Sequence, residues 1–312
     1  MRIIRDTLYM DPSDRGAVAA IGNFDGVHLG HQAVLNQTRQ IAEELGAPLG
    51  VMTFEPHPRQ FFAPDAPTFR LMNAEAKAHR LSKLGVQKLF EVPFNGALAG
   101  LSPRDFALEV IVKRLGLKHV VVGADFHFGK GRTGSIDTLE ELGAELGFGV
   151  TITPILSLKE EVSSTNIRNA LTDGRPQDAA AMLGHLHRIE GRVIRGDQRG
   201  RDLGYPTANM SITGLHQPKL GVYAVKVDVL TGPYTGHYGG AASIGVRPMF
   251  GQDNVPNIET FVFDFKGDLY GAELSVALID YLRPELKFDS LDALITQMGH
   301  DCDQAREILK HA

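Results

Sequence analysis

The first half of the chain alternates short apolar runs with amphipathic stretches, and this alternation restricts the fold more than any other feature. Apolar segments recur at Ala17–Ile21, Leu49–Phe54, Lys88–Val92, His119–Gly123 and Val150–Ile155. Helical periodicity lies between them, at Gln32–Leu45, Ala74–Leu84, Pro103–Leu115 and Ile136–Leu146. Ser102-Pro103-Arg104-Asp105 reads as a helix start: a capping hydroxyl, a proline at the first position and an acid in the first turn. Such alternation predicts a parallel sheet covered by helices. In sheets of that kind ligands bind beyond the carboxyl ends of the strands.

The texture changes near Gly184. Asp173–Gly184 reads as a short helix and a connector. Beyond it come β-like runs at Ile189–Arg195, Val222–Leu230, Gly240–Val246, Glu259–Phe265 and Leu274–Leu282, separated by turns containing Gly, Pro, Asn or Asp. Short strands at this spacing predict a compact antiparallel barrel, with the periodic segment Leu291–His311 packing on it as a helix. The expected division is therefore residues 1–183 and 184–312.

Composition narrows the functional class. A chain of 312 residues with 43% hydrophobic and 22% charged residues can bury a large core in two domains. No apolar run approaches a membrane span. The start, Met1-Arg2-Ile3-Ile4-Arg5-Asp6, reads as no secretory signal, because charge interrupts it before an apolar core develops. The single cysteine, Cys302, excludes an internal disulfide and fits a reducing cytoplasm. The expectation is a cytoplasmic chain with no membrane partner. A net charge of -5 gives no support to broad nucleic-acid binding, so any phosphate must be held by local geometry.

Four stretches in the first half carry candidate chemistry. Gly22-Asn23-Phe24-Asp25-Gly26-Val27-His28-Leu29-Gly30-His31 joins the first apolar run to a helical pattern. A strand, a glycine-rich turn and a helix start make an anion site, because the backbone can approach a phosphate and the helix N-terminus offers unpaired N–H groups. His28 and His31 fall on the first helical turn, placed to donate to phosphoryl oxygens. Such a pair could also ligate a metal, although no Cys partner or His-x-x-x-His pair accompanies it. In Thr53-Phe54-Glu55-Pro56-His57-Pro58 the prolines on both sides of His57 fix the backbone and keep the segment out of helix. In Gly123-Ala124-Asp125-Phe126-His127-Phe128-Gly129-Lys130, Asp125 could hold Mg2+ and Lys130 could meet a phosphate. A Walker A loop fails there, since Gly131 stands where Ser or Thr is required. Val162-Ser163-Ser164-Thr165-Asn166-Ile167-Arg168 opens a helix with hydroxyls that could cap it, or bind phosphate together with Arg168.

One stretch dominates the second half: Gly196-Asp197-Gln198-Arg199-Gly200-Arg201-Asp202-Leu203-Gly204-Tyr205-Pro206-Thr207-Ala208-Asn209. A glycine-rich flap followed by oxygen ligands is the arrangement phosphoryl transfer needs. Thr207 and Asn209 alternate on a strand and so share a face.

The decapeptide resembles the G-x-F-D-G-x-H-x-G-H signature of the nucleotidyltransferase superfamily. With T-F-x-P-H-P, G-x-[N/D]-F-x-F-G and S-S-T-x-x-R it resembles the FAD synthetase half of bacterial bifunctional riboflavin kinase/FAD synthetases. The second half resembles riboflavin kinases in G-R-x-L-G-x-P-T-A-N, in Gly221-Val222-Tyr223-Ala224, and in Glu259-Thr260-Phe261 through Asp268-Leu269-Tyr270-Gly271. The resemblance implies a Rossmann-like α/β nucleotidyltransferase domain and a small antiparallel β-barrel domain with a C-terminal helix. It implies that ATP phosphorylates riboflavin to FMN in the barrel and adenylylates FMN to FAD in the α/β domain, with Mg2+ as cofactor. By it His28, His31 and Arg168 are catalytic, and Gly22, Asn23, Phe24, Gly26, His57, Asp125, Ser164 and Thr165 bind ATP. In the barrel it makes Glu259 the base for the ribityl hydroxyl, Gly196, Arg201, Gly204 and Pro206 ATP contacts, and Arg283 a flavin contact. Thr207, Asn209 and Asp125 become metal ligands, and flavin-receiving apoproteins become partners. Met249 stands where the family usually has Thr. The alternatives are a chain with one silent half, a flavin-binding protein without turnover, and a nucleotidyltransferase for another phosphate substrate, which leaves the second half unexplained.

Overall fold

The computed structural model of the chain describes residues 1–154, 162–196, 200, 203–249 and 252–312. They cluster into two units, one of Met1–Pro67 with Lys77–Val162 and one of Thr68–Ala76 with Ser163–Ala312. No described helix is long and apolar enough to cross a membrane.

In the first unit, β1 (Arg2–Ile4), β2 (Val18–Ile21), β3 (Leu49–Glu55), β4 (Lys88–Pro93), β5 (His119–Gly123) and β6 (Gly149–Thr153) form one sheet in the order β1-β4-β3-β2-β5-β6. Every pairing is parallel, as the apolar alternation predicted. The fifth predicted strand, which corresponds to β6, ran to Ile155, which lies outside the described residues. Buried on both faces, β2 reads Val-Ala-Ala-Ile without a polar residue. From β2 the chain winds outward through β3 on one side and, later, through β5 on the other. That reversal makes the carboxyl ends of β2 and β5 the switch point at which sheets of this kind bind ligands.

The intervening helices follow the predicted stretches, with differences at their ends. Helix α1 (Leu29–Glu44) begins three residues before the predicted Gln32, because His28 caps it. The segment does not stay clear of helix: Pro58 opens the short α2 (Pro58–Phe62), while His57 remains outside it at ψ 136° and caps it, its Nδ1 accepting from Arg59 N at 3.1 Å. Proline belongs at that first position, where its missing N–H has no partner to lose. Next come α3 (Ala74–Lys83) and a helical stretch that starts at Pro103–Asp105 and continues with π spacing over Phe106–Leu115. Ser102 caps that stretch by accepting from Asp105 N at 3.1 Å, and Gly116 ends it at φ +57°. Helix α4 (Ile136–Leu146) completes the layer.

In the second unit, β7 (Arg188–Arg192), β8 (Thr207–Ser211), β9 (Gly221–Val229), β10 (Gly236–Met249), β11 (Gln252–Val262) and β12 (Glu273–Arg283) run in the order β7-β12-β9-β10-β11-β8. All pairs are antiparallel, and a bridge from Ile194 to Asn209 brings the two edges together into a nearly closed barrel. Tyr223, Val225, Ile244, Ile258 and Val276 fill its interior. Strands β10 to β12 are longer than predicted. Residues Gly236–Gly239 read as a turn in sequence, yet they pair with Lys226–Val229 of β9, whose ladder holds them extended. Helices α5 (Ser164–Thr172) and α6 (Pro176–Leu183) belong to this unit, and α7 (Leu291–Leu309) covers the outer face of the barrel, where Ala305 packs against Ala224 and Ala277.

His187 enters this core 3% exposed. Burial, with His185 and His216 adding positive charge nearby, lowers its pKa to about 3. The unfolded chain therefore binds a proton near pH 6.5 that the folded chain refuses until far lower pH. The stabilisation is complete above pH 6.5 and is lost as pH falls toward 3, with a slope of up to about 1.4 kcal/mol per pH unit. Denaturant midpoints of the chain at pH 7 and pH 5 should show this loss, and His187→Leu should flatten it by about one proton.

Candidate active sites

The turn that leaves β2 is held in a conformation few side chains accept. Phe24 and Val27 both have positive φ, +52° and +45°, and both are buried. Backbone of this kind is retained where the surroundings over-determine it, as at ligand sites. The chain then reverses into α1 at His28. The His28 Nδ1 accepts from the His31 backbone N–H at 3.4 Å, so in the neutral ring the proton sits on Nε2, which becomes a donor. The two imidazoles stack with centroids 3.7 Å apart, and Phe24 packs 5.0 Å from His31. The predicted shared turn thus takes the form of a stacked cap residue and third helical residue. Gly30 makes the stack possible: a Cβ there would stand 3.1 Å from two atoms of the His28 ring.

Burial pushes the His31 imidazole well below its ordinary range, and the charges of His28 and Lys77 push it further. His31 is neutral near pH 7. Its Nδ1 is buried without a hydrogen-bond partner among the described residues. The neighbourhood is a helix N-terminus flanked by two imidazoles, which suits a phosphate. No cluster of three or more His, Cys, Asp or Glu placed for a metal occurs among the described residues.

Other predicted residues lie at neighbouring strand ends. Gly22, Asn23 and Gly26 complete the turn, His57 follows β3, and Asp125 follows β5 with its side chain exposed. Ser164, Thr165 and Arg168 fall in the second unit, at the start of α5. The capping hydroxyl is that of Ser163, which accepts from Asn166 N at 3.2 Å. Arg168 turns back toward the helix N-terminus, donating to Thr165 Oγ1 at 3.4 Å and to the Phe69 carbonyl at 3.3 Å.

In the barrel, the ladder between β8 and β11 sets Asn209 opposite Glu259. Thr207 Oγ1 donates to Glu259 Oε2 at 3.4 Å, and Asn209 Nδ2 lies 3.3 Å from Thr207 Oγ1, so the alternating pair shares a face as expected. Asn257 Nδ2 donates to the other carboxylate oxygen at 3.3 Å. Glu259 in turn stands opposite Ser243, Ser243 opposite Val222, and Val222 opposite Arg283. Asn209, Glu259 and Arg283 therefore lie in one row across five strands, with Glu259 and Arg283 three strand spacings, about 14 Å, apart. A cavity of about 290 Å³ opens in this unit, lined by Gly196, Pro206, Thr207 and Asn209 together with Phe265, Lys266, Asp268 and Tyr270. Gly196 has no room for a side chain, since a Cβ would stand 2.7 Å from the Asn209 amide. Gly204, at φ +83°, turns the chain toward Pro206. Arg201 lies outside the described residues.

Some participants carry no sequence signal. Arg283 is gripped by Asp301 of α7 through contacts of 2.8 and 2.7 Å, and Gln297 donates to the same carboxylate at 2.9 Å. Asn257, Phe265 and Lys266 join the barrel site only through strand register and loop closure.

A FAD synthetase profile matches residues 10–166 and a riboflavin kinase profile matches residues 183–309. A bifunctional riboflavin kinase/FMN adenylyltransferase of Pseudomonas fluorescens is 41% identical over 99% of this chain and 98% of its own. Proteins of the same description from Listeria monocytogenes and Escherichia coli K12 are 39% and 38% identical, over 94% and 98% of this chain and 93% and 97% of theirs. A solved structure described as a macrolide-efflux protein from Streptococcus pneumoniae superposes with a TM-score of 0.81 at 30% identity, covering 98% of both chains. With a profile for each half and relatives matched end to end, the chain belongs to the bifunctional riboflavin kinase/FMN adenylyltransferase family, and it makes FMN from riboflavin and ATP and FAD from FMN and ATP.

Proposed function

We propose that the two reactions divide between the two sites just described, with the functional boundary at residues 183 and 184. The observation that carries the kinase half is the convergence of Thr207, Asn209 and Glu259 beside the cavity. Glu259 takes the proton from the ribityl 5′-hydroxyl as that oxygen bonds to the γ-phosphorus of ATP and ADP leaves. Gly196, Gly204 and Pro206 line the phosphate end, the sequence likeness supports Arg201 as a further ATP contact, and Arg283, at the far end of the row, meets the flavin ring.

In the other half an oxygen of the FMN phosphate attacks the α-phosphorus of ATP and pyrophosphate leaves. His28 and His31 donate to the phosphoryl oxygens as their charge grows, and the turn Gly22–Gly26 supplies backbone N–H groups. His57 and Asp125 add to the nucleotide site from the neighbouring strand ends, and the likeness of Ser163–Arg168 to S-S-T-x-x-R supports Ser164, Thr165 and Arg168 as ATP contacts. Neither reaction needs a covalent enzyme intermediate; positioning and charge neutralisation suffice.

Mg2+ fits the barrel residues: the Thr207 hydroxyl lies 3.4 Å from the Glu259 carboxylate and 3.3 Å from the Asn209 amide, and a hydroxyl, an amide oxygen and a carboxylate are the donors that a small hard cation prefers. Bound to Thr207 and Asn209, it would neutralise phosphate charge, and Asp125 offers a carboxylate to it in the other half. The chain works in the cytoplasm, where apoproteins that need FMN and FAD receive its products.

Incubation with riboflavin, ATP and Mg2+, followed by chromatographic separation of the flavins, tests both activities. The halves should also separate. A fragment of residues 163–312 should make FMN and no FAD; FAD from it would refute the division. A shorter fragment, 184–312, lacks α5 and α6 and with them the buried Ile167, Leu171, Ala179 and Leu183. Losing that burial costs several kcal/mol, at about 1.5–3 kcal/mol per large side chain, so it should melt well below the longer fragment in a thermal scan.

A further inference from the structure

Beneath the Asn23–His28 turn lies a buried cation to which neither proposed mechanism assigns a part. Lys77 of α3 is 3% exposed, and its ammonium donates to Thr53 Oγ1 at 3.1 Å and to Glu55 Oε1 at 2.7 Å. Thr53 Oγ1 donates in turn to the Asn23 carbonyl at 3.2 Å. An ammonium has only donors, so the Thr53 hydroxyl must accept from Lys77 and has its one proton left for Asn23. The direction of this relay is set at Lys77. Its far end is the residue before Phe24, where the backbone takes its positive φ and the turn toward the histidine pair begins. A buried ammonium is costly without partners, and Glu55 at the end of β3 supplies the opposite charge.

We infer that Lys77 is a positioning residue of the adenylyl-transfer site, holding the Asn23 carbonyl through Thr53 and thereby the turn that carries His28 and His31. The inference rests on the reading of those histidines as phosphate contacts. Lys77 has a second effect through its charge. The groups acting on His31 are His28 from the turn and Lys77 from α3, with Glu55 of β3 paired to Lys77. Removing the ammonium takes away one cation, and this change favours protonation of His31.

The full-length chain, assayed with FMN, ATP and Mg2+, tests this with Lys77→Met, Thr53→Val and Lys77→Arg. Lys77→Met should lower kcat for FAD formation by about 10–10²-fold, the scale on which a misplaced reacting group is felt. It should also move the acidic limb of the kcat–pH profile to higher pH. Thr53→Val, which keeps the cation but cuts the relay, should lower kcat and leave that limb in place. Lys77→Arg should recover part of the loss and restore the limb. FMN formation by the same preparations should match the parent. A Lys77→Met kcat within about twofold of the parent overturns the inference. So does a loss in Lys77→Met with an unmoved limb and a fully active Thr53→Val, which would make Lys77 a packing residue only. Should Lys77→Met fail to fold, Thr53→Val decides between the same outcomes. Failure of the underlying reading shows separately, as an undiminished FAD rate in His31→Ala.

Discussion

Glu259→Gln should lower FMN formation by about 10²–10⁴-fold, or about 3–5 kcal/mol in the barrier, the range a positioned general base supplies. The substitution keeps the size of the side chain. It also keeps one acceptor, but not both. The parent carboxylate accepts from Thr207 Oγ1 on one oxygen and from Asn257 Nδ2 on the other. A Gln amide must turn its NH2 toward one of them, and Thr207 can adapt because a hydroxyl also accepts. Riboflavin binding, read from flavin fluorescence in a chain with no tryptophan, should change little. FAD formation from supplied FMN should stay at the parental rate. Loss of flavin binding together with turnover would make Glu259 a ligand or a strand residue rather than the base, and persistent turnover would place the base elsewhere.

Replacing both His28 and His31 with Ala should abolish measurable FAD formation and spare FMN formation. A single well-placed transition-state donor contributes about 10²–10³-fold, and a pair acting on the same phosphoryl group is not additive. His28 has two roles to separate, since its Nδ1 also caps α1. His28→Asn retains a capping acceptor and removes the imidazole donor; His28→Ala removes both, at about 1 kcal/mol of stability for the cap. His31→Ala leaves the cap untouched. The FAD rate should fall in His28→Asn as in His28→Ala, and thermal stability should fall in the second alone. An FAD rate within a few-fold of the parent in the double variant would end the proposed role.

Much of the first site was legible because it is local. Ten consecutive residues, Gly22–His31, supply the strand exit, the turn, the cap and the start of α1, and each step obeys rules that act within a few positions. The alternation of apolar and amphipathic segments likewise announced a parallel sheet, and the turn-punctuated run after Gly184 announced a barrel. Segment ends were read less well. Gly236–Gly239 became strand because the β9 ladder holds it, and Pro58 became helix because His57 caps it.

The sequence by itself determined which residue types stand beside one another along the chain: the histidine pair with its glycine, the Thr-x-Asn alternation, the two textures of the two halves. Only the tertiary structure decided what meets across the chain. Strand order placed the β2 and β5 ends side by side at the switch point of the sheet. Register put Asn209, Glu259 and Arg283 in one row, and helix packing brought Asp301 onto Arg283 and Lys77 beneath Asn23. Such partners lie far apart along the chain, 18 positions for Arg283–Asp301 and 86 for Arg5–Glu91. Hydrophobic burial drives such elements together without regard to the polar groups they carry, and a lysine on an amphipathic helix reads the same whether it meets water or Thr53.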